Sequence, residues 1–170
     1  MKNKRKSIMS AKAFFHYGIN TFPPGGLTNL QDMPHNSIQS LEKQIAEISS
    51  EIYSTYSLPV LIFTSSIDAK NLAFSISEKM KAFYIEKLNG DRFQYEDMFV
   101  KYIDRLILNS QILINDYSKT TLPDIFEQVT NFIKNKTISF IIIEGILFSK
   151  EELLEIHKLS MRAKTHILIL

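Results

Sequence analysis

The chain has 170 residues, 45% of them apolar and 22% charged, which excludes a disordered chain and allows one domain with a sizeable core. The formal net charge of +2 is too mild to argue for nucleic acid by itself. With no cysteine, disulfides, thiolate zinc sites and a thiol nucleophile are excluded, and the chain is expected to be cytoplasmic.

In chain order, residues 1–37 read as an irregular basic segment. Lys2, Lys4, Arg5, Lys6 and Lys12 precede any periodic pattern. Lys4, Arg5, Lys6 and Lys12 are the candidate nucleic-acid contacts, against the plainer reading of a solvated terminus. Phe14, Phe15 and Tyr17 beside Lys12 either stack on bases or pack the segment onto a core. Pro23, Pro24, Gly25, Gly26 and Pro34 break helix and strand alike.

From residue 38 the pattern becomes periodic. "SIQSLEKQIAEISSEIYSTY" spaces Ile38, Leu41, Ile45, Ile48, Ile52 and Tyr56 by threes and fours, a helix capped by Ser37 or Asn36. "LPVLIFTSS" is a buried strand. "DAKNLAFSISEKMKAFYIEKL" is a helix capped by Asp68, with Leu72, Ile76, Met80 and Phe83 on one face and Asn89-Gly90 ending it. A helix in "YEDMFVKYIDRLILNS", a strand in "QILIND" and a helix with Pro123 in its first turn follow. "ISFIIIE" is the strongest strand, then a helix in "SKEELLEIHKLSMRAKT" and a last strand, "HILIL". Strands alternating with helices predict an α/β layered, mostly parallel sheet. The last strand is expected at a sheet edge, where unpaired backbone groups favour self-association or a partner. No apolar run reaches the length of a membrane span.

From Leu58 to Leu170 the order of elements resembles the RecA-like ATPase domain of the DnaB-type replicative helicases. "LPVLIF" is similar to the strand that precedes a Ser-Leu-Glu-Met motif in that family. "EKLNGDRFQYEDM" and "QILINDYSKTTLPDIFEQV" resemble its next two segments, "ISFIIIEGILF" its Walker B strand, and "LLEIHKLSMRAKTHILIL" the helix and strand after it. Upstream, "PPGGL" is similar to the Gly-Gly-Leu that opens the family's ATPase core. The resemblance implies a three-layer RecA-like, P-loop NTPase-like fold over residues 38–170, truncated relative to the family.

The family's catalytic parts are altered. Counting back from Pro59 puts Ser40, Leu41 and Glu42 where the phosphate loop carries Gly-Lys-Ser/Thr, and no glycine stands between Gly26 and Gly90. Leu41 supplies no charge and Glu42 repels phosphate. The family strand ahead of that loop is expected to be missing, since "TNLQDMPHN" has a proline and little β-branched content. The general base falls on Ser66, which cannot take a proton from water without a base of its own. Glu144 takes the Walker B position and is the candidate metal ligand, against a plain carboxylate at a strand end. The family's primase-binding domain, DNA loops and arginine finger are also expected to be absent. His16, His35, His157 and His166 show no ligand spacing.

The implied function is that of a pseudoenzyme: a catalytically degenerate, DnaB-like binding or regulatory partner in DNA replication, with no ATP hydrolysis and no cofactor. Its partner would be a replication protein or helicase subunit, or a second copy. The alternatives are an ATPase or helicase fragment using ATP and magnesium in a rebuilt site, and single-stranded DNA binding through the basic N-terminus.

Overall fold

A computed structural model of the chain describes residues 25–31, 37–87, 96–117, 121–135 and 140–170. Among them the elements run β1 (Leu27–Asn29), α1 (Ile38–Tyr56), β2 (Val60–Thr64), α2 (Ala69–Lys87), α3 (Glu96–Leu108), β3 (Ile112–Asp116), α4 (Leu122–Asn135), β4 (Phe140–Glu144), α5 (Lys150–Ala163) and β5 (His166–Ile169). The strands form one five-stranded sheet in the order β1-β5-β4-β2-β3, parallel throughout.

The apolar runs of β2, β4 and β5 have no polar face, so both sides of the sheet must be covered. Val60, Ile62, Phe140, Ile142 and Leu168 pack with Leu41, Ile45, Ile48 and Ile52 of α1 and Leu72, Ile76 and Met80 of α2. The alternate residues Leu61, Phe63, Ile141, Ile143, Ile167 and Ile169 pack with Ile125 and Val129 of α4 and Ile156 of α5. The strand period of two thus feeds two cores, and the result is a three-layer α/β domain.

Two expectations are corrected. A strand does precede α1, inside the stretch read as irregular. β1 has only three residues, half-buried at best, and it exists by tertiary pairing rather than by its own propensity. Leu27, Thr28 and Asn29 align with Ile167, Leu168 and Ile169, and Ile167 N–H donates to Gly26 O at 3.0 Å and Leu30 N–H to Ile169 O at 2.9 Å. Gly25 lets the chain reach that edge: its φ is +77°, and a Cβ there would sit 3.3 Å from Met161 Cα. For the same reason β5 is not an edge strand. It lies between β1 and β4 with all four residues buried. Among the described residues the edges are β1 and β3.

Asn89-Gly90 and most of "EKLNGDRFQYEDM" lie outside the described residues. No helix among the described residues is long and apolar enough to cross a membrane.

Candidate functional site

From β2 the chain goes outward to β3, then returns to β4 on the other side of β2. The direction of strand order therefore reverses between β2 and β4. In an open parallel sheet a crevice forms beyond the carboxyl ends of the strands at such a reversal. Thr64 ends β2 and Glu144 ends β4, and the two are register partners.

Glu144 is 1% exposed and Thr64 0%. A carboxylate so desolvated must be hydrogen-bonded, and the β2–α2 turn supplies the donors. Glu144 Oε2 accepts from Ser65 N–H at 3.1 Å, Ser66 N–H at 3.2 Å and the Thr64 hydroxyl at 2.8 Å. Glu144 Oε1 accepts from the Ser66 hydroxyl. Thr64 Oγ1 in turn accepts from Ile67 N–H at 3.2 Å, closing the turn.

Gly145 lets the two strand ends meet. Its φ is +80°, and a Cβ there would lie 2.1 Å from Ser65 Oγ. Instead the Ser65 hydroxyl donates to Gly145 O at 3.0 Å. The turn and the end of β4 are joined across Glu144 and Gly145.

The first turn of α1 forms the facing wall. Ser37 is its N-cap in extended conformation, with its side chain accepting from Ser40 N–H at 3.1 Å. Leu41, 6% exposed, belongs to the α1 core stripe. A third wall is pinned by Gln31, whose side-chain amide donates to Phe148 O at 3.1 Å and accepts from Phe148 N–H at 3.2 Å. Together these walls enclose a cleft of about 440 Å³ lined by Gln31, Ser37, Leu41, Ser66, Glu144 and Leu170, with Ile38 and Leu147 at its rim.

The structure brings Leu41 of α1, Ser66 of the β2–α2 turn and Glu144 at the end of β4 to this one cleft. Asp68 lies outside it as the cap of α2, accepting from Asn71 N–H at 2.9 Å. His166 is buried, with Nε2 3.0 Å from Thr28 Oγ1 and its ring stacked on Phe140, and ties β1 to β5. Lys4, Arg5, Lys6 and Lys12 lie outside the described residues. Thr64, Ser65, Gly145 and Gln31 were not singled out by sequence reasoning. Thr64 left a signal: it and Glu144 are each the first polar residue after four apolar ones, so equal strand lengths align them.

The protein groups around Glu144 leave little room for direct ligation of a hard cation. Hard cations need several free oxygens, and the oxygens of Glu144 already serve the β2–α2 turn. Among the described residues no group of three His, Asp or Glu is placed to hold a metal.

No protein-family model matches the chain, and no curated protein matches it. Among solved structures it is similar to a chain from "The Structure Of A DnaB-Like Replicative Helicase And Its Interactions With Primase", with a TM-score of 0.56 and 10% identity, covering 87% of this chain. The chain spans 39% of the length of that neighbour. A likeness at this identity concerns the fold: the sheet and its two helical layers are RecA-like.

Proposed function

We propose that this domain is a catalytically degenerate relative of the DnaB-like helicases that binds a partner and does not hydrolyse ATP. The observation that carries the reading is the engagement of Glu144. Its carboxylate is bound by Thr64, Ser65 and Ser66, and the wall opposite carries Leu41 where the family sequence pattern has lysine. A triphosphate bears several negative charges and needs amides, a cation and a metal to hold it. None of the described residues lining this cleft is cationic.

The structural neighbour is described in its interactions with primase, and a replication protein is the partner class we propose here. DNA binding through Lys4, Arg5, Lys6 and Lys12 remains a separate proposal. It predicts an affinity for single strands that falls steeply with salt.

Thermal unfolding with Mg-ATP, paired with a phosphate-release assay, tests the reading. A nucleotide present at a hundred times its dissociation constant would stabilise the fold by about 2.7 kcal/mol. The expected result is an unchanged midpoint and no phosphate release. Hydrolysis that Glu144→Gln abolishes would overturn the proposal.

A further inference from the structure

Among the described residues β3 is an edge of the sheet. Val60 N–H donates to Gln111 O at 3.0 Å and Tyr117 N–H to Thr64 O at 2.8 Å, so the odd-numbered residues of this stretch turn their backbone groups towards β2. Successive residues alternate along a strand. The N–H and C=O groups of Ile112 and Ile114 therefore point away from β2, where no described strand meets them.

Natural edges are blunted by charge, proline, a bulge or shortness. β1, at the other edge, is three residues long. β3 keeps unbroken one-to-one register with β2 from Ile112 to Asp116, and no proline or charged residue stands between Ser110 and Asn115. Ile112, Leu113 and Ile114 are only half-buried, and Leu108, at the end of α3, is 82% exposed.

The segment that complements this edge is β3 itself. Turned antiparallel about Leu113, it sets Ile112 against the partner's Ile114 and Leu113 against the partner's Leu113. Gln111 then faces the partner's Asn115, and Ser110 the partner's Asp116. Apolar residues meet apolar ones, polar residues meet polar ones, and no like charges are opposed. Centred on Ile114 instead, the pairing would set Ile112 against the Asp116 carboxylate. In the first register Ile112 and the partner's Ile114 exchange both backbone bonds, as a hydrogen-bonded antiparallel pair does. A two-fold axis uses the β3 edge of both copies and closes the assembly.

We propose that the chain forms a two-fold homodimer in which the β3 strands pair antiparallel and join the two sheets into one. The dimer goes beyond the functional reading above, and neither depends on the other.

Light scattering over a dilution series, together with cysteine cross-linking of the full chain, tests it. The expected species is a dimer that dissociates on dilution. Ile112→Pro removes an outward N–H that β2 does not use and should weaken the dimer roughly tenfold, one hydrogen bond being lost from each copy. The chain has no cysteine, so Leu113→Cys introduces a single thiol. Facing residues of a non-hydrogen-bonded antiparallel pair have Cα atoms about 4.5 Å apart, within reach of a disulfide. Oxidised Leu113→Cys should therefore run as a covalent dimer. Asn115→Cys, on the same face but about 14 Å from its counterpart along the strands, should stay unlinked. That comparison decides the matter even if Ile112→Pro does not fold. A monomer at every concentration overturns the proposal, as does a dimer that Ile112→Pro leaves unweakened. Failure of Leu113→Cys to link, or linking of Asn115→Cys as readily, overturns it too.

Discussion

At Glu144 one desolvated charge is set against the donors of a single turn. Glu144→Ala would strand the Ser65 and Ser66 amides, each a cost of roughly 1–3 kcal/mol where water cannot reach, while the Thr64 hydroxyl keeps Ile67 O as an acceptor at 2.9 Å. A loss of about 3 kcal/mol in urea unfolding is expected. Glu144→Gln keeps one acceptor oxygen and offers its amide to Ser66 Oγ, so about half that loss is expected. The opposite case is Tyr117, whose ring packs edge-on against Phe63 at 5.5 Å and whose hydroxyl is buried without a hydrogen-bond partner among the described residues. Tyr117→Phe removes only the unsatisfied oxygen and should stabilise the fold by about 1 kcal/mol at neutral pH. Burial, and secondarily Asp124, push the Tyr117 phenol up. Its contribution to stability is complete below the unfolded pKa of about 10 and is lost as pH rises from there through the folded value. The alkaline decline in stability should therefore be shallower in Tyr117→Phe, as read from urea midpoints measured between pH 9 and 11.

At the scale of elements, helix ends decide how the cleft is framed. Helix α5 starts with a capping box: Ser149 Oγ accepts from Glu152 N–H at 3.2 Å, and Ser149 N–H donates to Glu152 at 2.7 Å. The sequence Ser-Lys-Glu-Glu states that motif openly. Ser149→Ala should cost about 1 kcal/mol, seen as a lower urea midpoint at unchanged slope, because the surface exposed on unfolding is the same. The cap also steadies the β4–α5 segment, where Phe148 meets Gln31. The α1 stripe was legible at Leu41, Ile45, Ile48 and Ile52, all buried. Its ends were not: Ile38 and Tyr56 continue the spacing yet are 57% and 37% exposed. Periodicity shows which face is apolar, but the depth of burial at the ends depends on how far the neighbouring elements extend.

Across the whole molecule, stability should grade from the sheet's centre to its edges. β2, β4 and β5 are buried on both faces and paired on both sides. β1 is three residues long, and β3 is no more than half-buried. Native-state hydrogen exchange should find the slowest amides in Leu61–Phe63, Ile141–Ile143 and Ile167–Leu168, while those of β1 exchange first. Uniform protection from β1 to β3 would contradict this layout. The same gradient explains why the central strands could be read from sequence and β1 could not. "VLIF" and "FIII" need no partner to announce burial, whereas Leu27–Asn29 are a strand only because β5 offers them unpaired backbone groups.

The sequence alone determined the alternation of strand and helix, the apolar stripes, and the absence of a glycine loop between Gly26 and Gly90, because each is written in adjacent or periodically spaced residues. Its resemblance to the DnaB-type pattern, rather than the residues by themselves, singled out Leu41, Ser66 and Glu144 as the positions to watch. Only the tertiary structure decided that these three share one cleft, that β5 lies inside the sheet, and that the Glu144 carboxylate is occupied by the β2–α2 turn. The physical reason is strand register. It aligns Thr64 with Glu144 across 80 residues of chain, and a hydrogen bond between residues so far apart leaves no mark on the local pattern of either.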